Sequence, residues 1–325
     1  MRKASISAWG PKKLGLALAT FLLIAEQSPA QAPQSTPPPS EQRSTIKVYV
    51  DLKTLYVTVT DRSGRSLTGL RAENFRLYDN EIEQPIAHFT TEDVPFTMGM
   101  VLDRSGSMLP VIDEVYQAAF HTVRASKDVD EFSILTFNDR VELRQDFSTD
   151  RELLKKRLKR VRAEGGTALY DAVLTALDHV QKGSREKKAL LVVTDGDDNR
   201  SQHSFRELLD RVRQQEDVTI YVVGFFGSAP WSDFPIYKDS LQARLTELAT
   251  ATGGRAYFPR TMEECDRACI AIAEELRQQY VLGYYPRPRL DGSWHKIQVQ
   301  LQLPAELAAN GLTARTRVGY FAPKE

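Results

Sequence analysis

The middle of the chain alternates short apolar runs with segments of helical periodicity. Phe96 to Leu102 (FTMGMVL) is apolar almost throughout, which is typical of a strand that is covered on both faces. After it, apolar residues recur every three or four positions from Val111 to Val123, which predicts an amphipathic helix. Repeated βα units of this kind build a mostly parallel sheet with helices on both faces. We therefore expect an α/β domain with a Rossmann-like, doubly wound sheet.

The same alternation continues toward residue 278. Further strands are predicted at Glu131 to Phe137, Ala189 to Val193, Val218 to Phe225 and Arg255 to Phe258, with a hairpin through Asn138-Asp139 to Val141. Three further helices are predicted to start at a Thr149–Glu152 capping box, at Thr167 and at a Ser204–Glu207 cap. A fourth is predicted to end at Gly253-Gly254, and a fifth contains Cys265 and Cys269. Cβ atoms at the spacing of the two cysteines lie about 5 to 6 Å apart, further than a disulfide requires. We expect both thiols to pack in the core without a bridge.

Both ends of this region read as antiparallel strands with one apolar face. Leu55, Val57 and Val59 alternate with polar residues, as do the apolar residues before them at Ile46, Val48 and Val50. On the other side, strands are predicted at Tyr280 to Tyr285, Ile297 to Leu303 and Ala314 to Phe321. Neither set has enough strands to be stable alone. We expect residues 46–92 and 279–325 to pack together as one β module beside a domain of residues 93–278.

The N-terminus has the features of an export signal. Basic residues precede the apolar run Leu14 to Ala25, and Ser28-Pro29-Ala30 offers small residues for cleavage before Gln31. The run is shorter than the roughly 20 residues that span a bilayer, which favours cleavage over an uncleaved anchor. We expect a signal peptide at residues 1–30, a disordered linker rich in Pro, Ser and Gln at residues 31–45, and a periplasmic or extracellular protein without a transmembrane span.

The charge of the chain argues against some classes of partner. Lys+Arg and Asp+Glu both total 43, so no global field would draw the protein to nucleic acid or to an anionic membrane. The one basic run, Arg151 to Arg162, carries Leu154 and Leu158 at helical spacing. We interpret this run as the solvated side of an amphipathic helix.

The tetrapeptide Asp-Arg-Ser-Gly occurs twice, in different surroundings. The copy at Asp61 to Gly64 follows an alternating strand and is followed by Arg65, so we interpret it as a polar turn. The copy at Asp103 to Gly106 ends the buried strand and continues with Ser107 into a helix. Only the second copy is therefore placed where open α/β sheets bind ligands, at the carboxyl end of a parallel strand.

Three segments rich in oxygen ligands are predicted at this edge of the sheet. They are Asp103-Arg104-Ser105-Gly106-Ser107, Gly165-Gly166-Thr167 at the start of a helix, and Thr194-Asp195-Gly196-Asp197-Asp198-Asn199. Hydroxyls and carboxylates without His or Cys suit Mg²⁺, Mn²⁺ or Ca²⁺ and argue against zinc or copper. Any one segment alone would be an ordinary cap or turn, but together they predict a metal site.

These residues resemble the metal-ion-dependent adhesion site of von Willebrand factor type A domains. Five positions match in order: Asp103, Ser105, Ser107, Thr167 and Asp195. The flanks are similar to bacterial secreted members of this family, especially an acidobacterial-type group with a β segment on each side. The resemblance extends from about Ile46 to Phe321 and is most secure from Pro95 to Gln278. It implies that Ser105, Ser107 and Thr167 contact the ion and that both aspartates bind it directly or through water.

The resulting hypothesis is an exported, non-enzymatic, adhesion-type module that binds a protein partner. A divalent cation, Mg²⁺ or else Mn²⁺ or Ca²⁺, would recognise an Asp or Glu that the partner presents. One alternative is a structural scaffold in which the ion only orders the loops. Another is a Mg²⁺-dependent phosphohydrolase with Asp103 as its nucleophile, although Ser105 stands where such enzymes carry a second carboxylate.

A rim for the partner is predicted beside the metal site. The loop Phe226 to Tyr237 follows a parallel strand and is unusually aromatic for a connection, with Trp231, Phe234 and Tyr237 as its candidate contacts. Exposed aromatic side chains commonly anchor protein interfaces. The alternative is a loop that folds back on a small core of its own.

Overall fold

The structure is a computed structural model that describes residues 52–91, 93–159, 162–226, 235–286, 291–304 and 311–324. All of these residues belong to one compact unit, Val48–Glu325. The signal peptide, the linker and the alternating residues Ile46, Val48 and Val50 lie outside the described residues, so these predictions stay predictions. No helix in the described ranges is long and apolar enough to cross a membrane.

The strands and helices predicted between Phe96 and Cys269 occur in the predicted order, whereas the three strands within residues 75–90 are not predicted as separate strands. The strands are β1 (Lys53–Thr60), β2 (Phe75–Asp79), β3 (Ile82–Gln84), β4 (His88–Thr90), β5 (Phe96–Asp103), β6 (Glu131–Phe137), β7 (Val141–Ser148), β8 (Lys187–Thr194), β9 (Val218–Gly224), β10 (Ala256–Tyr257), β11 (Tyr280–Tyr284), β12 (Trp294–Leu301), β13 (Thr313–Arg315) and β14 (Gly319–Phe321). The α-helices are α1 (Ile112–Ala125), α2 (Arg151–Leu158), α3 (Leu169–Val180), α4 (Phe205–Gln214), α5 (Pro235–Ala251) and α6 (Met262–Arg277). Two 3₁₀ turns occupy Ala72–Asn74 and Gly106–Val111.

A six-stranded sheet forms the centre of the molecule, in the order β10-β9-β8-β5-β6-β7. Its strands pair in parallel except β7, which pairs antiparallel with β6 as the predicted hairpin requires. Every residue of β5 is buried, as expected of a strand with a neighbour on each side and helices above and below. The predicted Rossmann-like α/β fold is confirmed.

Separate apolar cores cover the two faces of this sheet. One face packs against α1, α2 and α6 through residues such as Val115 and Leu154, and the other packs against α3, α4 and α5 through residues such as Leu208. Cys265 and Cys269 are buried free thiols in the first core, which confirms that they pack without a bridge.

The flanking strands form two four-stranded antiparallel sheets, in the orders β13-β1-β11-β4 and β14-β12-β2-β3. In the first sheet β1 lies between two strands from the C-terminal part of the chain, with Leu55 opposite Leu282 and Val59 opposite Ala314. The two sheets share an apolar core. In it the ring of Phe75 on β2 lies 5.0 Å from the tyrosine ring at the start of β11, measured between ring centroids. The two ends of the chain thus contribute to one β module.

One predicted strand of this module is wrong. Ala314 to Phe321 reads as a single strand, but the structure has two short strands, β13 and β14, in different sheets. Arg317 lies between them, and its guanidinium donates to the carbonyls of Gly319 at 2.7 Å and of Arg213 at 3.1 Å. An alternating pattern predicts which side chains are buried but does not predict where the chain changes sheets.

A buried carboxylate joins the β module to the central domain. Glu275 on α6 is 2% exposed and accepts a hydrogen bond from the Tyr221 hydroxyl of β9 at 2.8 Å. From the β module it accepts a weaker bond from Thr58 at 3.3 Å and forms an ion pair with Arg315. A buried charge is tolerated when it is paired and hydrogen-bonded, so this cluster favours one relative placement of the two parts.

Two predicted helix starts are wrong by one or two residues. Asp150, and not Thr149, caps α2, because its carboxylate accepts from the backbone amides of Glu152 and Leu153, both at 3.0 Å. Helix α3 begins at Leu169 instead of Thr167.

Candidate metal centre

The three oxygen-rich segments meet at one edge of the central sheet. The first ends β5 and the third ends β8, and these strands are neighbours in the sheet. The second segment, Gly165 to Thr167, follows α2 and leads into α3, so placing it at the carboxyl end of a strand is wrong. It reaches the edge because the Ala168 amide donates to the carbonyl of Asn138, just after β6, at 2.8 Å.

Direct hydrogen bonds join the three segments in pairs. The Gly106 amide donates to the carbonyl of Gly165 at 3.0 Å, which links the first segment to the second. The carbonyl of Thr167 accepts from the amide of Asn199 at 3.0 Å, which links the second to the third. The Thr194 hydroxyl donates to a carboxylate oxygen of Asp103 at 2.6 Å, which links the third to the first. The predicted site residues are therefore held in one cluster.

Asp103 is fully buried at the centre of the cluster. One carboxylate oxygen accepts from the Ser105 amide at 2.8 Å and the other accepts from Thr194. Burial raises the pKa of Asp103 to about 6, and the Thr194 and Ser105 hydrogen bonds offset part of that rise. The carboxylate is thus protonated more readily than an exposed aspartate, and a bound cation would keep it ionised.

Asp195 is also buried, with 1% of its surface exposed, and it has fewer partners. Its Oδ1 accepts a long hydrogen bond from the Asp197 amide at 3.3 Å, and its Oδ2 is buried without any hydrogen bond. Burial, and then the charge of Asp103, raise the pKa of Asp195 to about 7, while the Ser107 hydroxyl offsets part of the rise. An unpartnered buried carboxylate oxygen is costly, so this atom calls for a cationic partner.

The predicted hydroxyl ligands lie in the same cluster. Ser105 and Thr167 are 1% and 2% exposed, and the hydroxyl oxygens of Ser105 and Ser107 are 3.1 Å apart. Within the described ranges no group of three or more His, Cys, Asp or Glu side chains could hold a metal. A metal here would therefore depend on hydroxyl oxygens as well as on the two carboxylates.

This donor set fits a hard divalent cation. Two buried carboxylates and three hydroxyls supply only oxygen atoms, and Mg²⁺, Mn²⁺ and Ca²⁺ prefer oxygen ligands. Burial is the main cause of the raised pKa values of Asp103 and Asp195, and the charge of Asp103 adds to the rise at Asp195. A doubly charged ion between them would offset both the repulsion and the loss of hydration. The two carboxylates and three hydroxyls therefore fit the divalent cation that the sequence predicts.

Several residues for which the sequence predicts no individual role support this cluster. Thr194 fixes Asp103, and Asn199 accepts the Thr167 amide through its side-chain oxygen at 3.0 Å. Asp198 accepts the Tyr170 amide at 2.9 Å and so holds the start of α3 against the third segment. In the sequence these residues appear only as members of an oxygen-rich segment. Their spacing does not distinguish a metal ligand from a residue that positions a ligand.

The first Asp-Arg-Ser-Gly copy is a turn, as predicted. The Gly64 amide donates to the carbonyl of Asp61 at 2.9 Å, and Gly64 has a φ of +82°, which glycine adopts without strain. The Asp61 carboxylate accepts from the Ser63 hydroxyl and from the Arg65 amide, and these bonds hold its pKa well below the usual range. Its polar groups are thus satisfied locally.

Tyr237 is the part of the predicted aromatic rim that the structure describes. Its side chain is 44% exposed, and its hydroxyl donates to a carboxylate oxygen of Asp197 at 2.7 Å, next to the metal cluster. Trp231 and Phe234 lie outside the described residues, so the rim stays a prediction. Two apolar residues outside the predicted rim are also exposed: Leu109, two residues after Ser107, is 63% exposed, and Ile236, just before Tyr237, is 88% exposed.

A family model and one known protein match about half of this chain. The family model for the von Willebrand factor type A domain matches residues 98–268, which are 171 of the 325 residues and just over half of the chain. An uncharacterized protein of Synechocystis sp. is 25% identical over 174 residues, covering 52% of this chain and 39% of that protein. The chain thus matches well under half of that relative's length.

Solved structures similar to the chain come from several bacteria. A von Willebrand factor type A protein from Catenulispora acidiphila is 11% identical, covers 83% of this chain and 74% of its own, and gives a TM-score of 0.49. The vWF domain of the type V pili tip protein Mfa5 from Porphyromonas gingivalis is 12% identical, with 56% and 95% covered and a TM-score of 0.46. BatB from Bacteroides thetaiotaomicron is 14% identical, with 56% and 98% covered and a TM-score of 0.46. At identities this low the likeness says nothing of activity or partners.

Proposed function

The chain belongs to the von Willebrand factor type A domain family, and we propose that it is an exported module that binds a protein partner through a divalent cation. Asp103, Ser105, Ser107, Thr167 and Asp195 would hold the ion, with Mg²⁺ as the first candidate and Mn²⁺ or Ca²⁺ as the others. The partner would present an Asp or Glu side chain to it.

The observation that carries the proposal is the buried, unpartnered Oδ2 of Asp195 beside the equally buried Asp103. Most buried polar atoms in proteins have a partner, and buried charges are paired or bind metals. Among the described residues no cationic side chain is paired with either carboxylate. A cation from solution would supply the missing partner.

The ligand types favour an ion that can accept a further anionic oxygen. The hydroxyls of Ser105, Ser107 and Thr167 are neutral, so they bind without cancelling positive charge. If the two aspartates act through water, the bound ion keeps much of its charge and offers a coordination position to an anionic oxygen. A carboxylate on the partner suits that position, because direct attraction offsets the dehydration of the ion.

The surroundings of the cluster suit a protein partner. Leu109 is exposed two residues after Ser107, and Tyr237, which follows the exposed Ile236, contacts Asp197 in the third segment. Exposed apolar and aromatic side chains are typical of interface anchors. Trp231 and Phe234 belong to the same proposed rim. The segments are also joined by direct hydrogen bonds, so an ion is not needed merely to connect them, which disfavours a purely structural role.

Affinity capture tests the proposal. The immobilised protein is exposed to the envelope fraction of its host, once with Mg²⁺ and once with EDTA, and the captured protein is then bound again in purified form. We expect capture only with Mg²⁺, loss of capture in Asp103→Ala, and unchanged capture in Asp61→Ala, the matched control in the turn copy. Capture that survives EDTA, or that Asp103→Ala leaves intact, would contradict the mechanism.

The chemistry of the partner has its own test. Once the partner's acidic contact is located, changing it to the corresponding amide removes the negative charge and keeps the shape. We expect metal-dependent binding to disappear. Undiminished binding would reject the carboxylate while leaving metal dependence itself intact.

A further inference from the structure

An open groove between α1 and α2 has a volume of about 420 Å³. It lies apart from the metal centre, since none of the five proposed metal ligands lines it. Its walls are one face of α1 and the end of α2, and they include Tyr116, Phe120, Arg124, Lys155, Leu158 and Lys159. A cavity of this size lies within the range of small-ligand sites.

Three of the lining side chains are cations without a carboxylate partner in the described part of the chain. Arg124 lies in the last turn of α1, Lys155 lies on α2, and Lys159 is the residue that ends α2. The nearby His121 is already paired with a carboxylate of α6. Asp113, the acidic residue of the lining, lies about 16 Å from Arg124 along α1 at 1.5 Å per residue. The lining thus carries a net positive charge.

This charge favours a dianion over a single carboxylate. A phosphate monoester carries close to two negative charges at neutral pH and has three strong acceptor oxygens, whereas a carboxylate carries one charge. The Arg124 guanidinium can donate two parallel hydrogen bonds to a phosphate, and an ammonium group acts as a point charge beside it. A phosphate therefore matches the lining in charge and in hydrogen-bonding capacity.

The floor of the groove is apolar and partly aromatic. Leu158 is buried, the Phe120 ring is half-buried, and the Lys155 ammonium lies 5.2 Å from the centroid of that ring. The ring and the leucine offer a surface for an organic group, while Lys155 is held near it by its attraction to the ring. Although the sequence predicts that this basic run faces solvent, Lys155 is half-buried.

We propose that the α1–α2 groove binds a small organic phosphate monoester. The phosphate lies against Arg124, Lys155 and Lys159, and the organic group packs on Phe120 and Leu158. The site is independent of the divalent cation and of the partner proposed for the metal centre.

Ligand-observed NMR on the full chain, in EDTA so that no metal takes the phosphate, tests this site. Phenyl phosphate is titrated alongside benzoate, phenol and inorganic phosphate, which separate the contributions of charge and ring. We expect saturable binding of phenyl phosphate, with each of the other three probes at least about tenfold weaker. Lys155→Gln and Arg124→Gln should each weaken phenyl phosphate binding by about tenfold.

Lys156→Gln is the matched control, because Lys156 is exposed on α2, does not line the groove and carries the same charge. We expect it to bind phenyl phosphate like the unchanged protein. Equal losses in Lys156→Gln and Lys155→Gln would overturn the site in favour of general electrostatic attraction. Equal binding of benzoate, or no saturable binding of phenyl phosphate, would also overturn it.

Discussion

Replacing Asp195 by Asn should stabilise the protein when divalent cations are removed. In the metal-free protein above neutral pH, the folded state must keep two buried carboxylates charged, one of them with an unpartnered oxygen. Asn has nearly the same shape without the charge. The substitution thus removes both the burial of one charge and its repulsion with Asp103.

The size of this effect follows from the pKa of Asp195. Its ordinary value is 3.8, and burial followed by the charge of Asp103 raises it to about 7 in the folded protein. Because a tenfold change in proton affinity is worth about 1.4 kcal/mol, the ionised carboxylate costs the folded state on the order of 4 kcal/mol. The cost is absent well below pH 3.8, where the group is protonated in both states. It grows between pH 4 and 7 and is complete above pH 7.

Urea unfolding in EDTA measures the difference. At pH 8 we expect Asp195→Asn to be more stable than the unchanged protein by up to about 4 kcal/mol, and at pH 4 we expect the gain to fall below about 1 kcal/mol. Added Mg²⁺ should stabilise the unchanged protein and have little effect on the variant. Asp128→Asn, at a surface ion pair where Asp128 is 89% exposed, should change stability by less than about 1 kcal/mol. An Asp195→Asn protein that is no more stable at pH 8 would refute the reasoning.

Three further predictions concern the fold, each with its own measurement. Asp150→Ala should destabilise the protein by about 1 kcal/mol and Thr149→Ala by much less, since only Asp150 caps α2; equal losses in urea unfolding would contradict the cap. Arg315→Gln should cost about 3 kcal/mol in the same assay because it leaves Glu275 buried without its ion pair, and a loss under 1 kcal/mol would reject that role. Deleting the residues after Gln279 should expose β1 to hydrogen exchange, since its partners β11 and β13 are removed; unchanged protection would show that β1 is stable without them.

The sequence predicts the central sheet well because its strands are buried on both faces. A run such as Phe96 to Leu102 is apolar on both faces and is therefore easily recognised as a buried strand. The predicted end of this strand differs from the end of β5 by one residue. The positions of Asp103 and Asp195 follow from it, because each stands at or just past the end of such a strand. The burial of both side chains is then expected, whereas the unpartnered oxygen of Asp195 is visible only in the structure.

Other features could not be read from the sequence because they depend on contacts between distant segments. Thr149 and Asp150 are both good caps, and only the backbone geometry decides which one reaches the amides. The change of sheet at Arg317 depends on hydrogen bonds from its guanidinium to a carbonyl in α4, which is distant in sequence, and to a carbonyl in β14. The alternation of apolar and polar residues contains no sign of either bond. Lys155 belongs to a run that is typical of solvated helices, and its burial depends on where α1 lies.

The central claim, that Asp103 and Asp195 hold a divalent cation with the three hydroxyls, is tested most directly by calorimetric titration of the metal-free protein with Mg²⁺ and Mn²⁺. We predict one saturable site in the unchanged protein, its loss in Asp103→Ala and in Asp195→Asn, and its full retention in Asp61→Ala. Asp195→Asn is the sharper of the two losses, because that variant is expected to fold more stably without metal than the unchanged protein does. Binding of the ion that is equally strong in Asp195→Asn, or no binding by the unchanged protein, would contradict the claim.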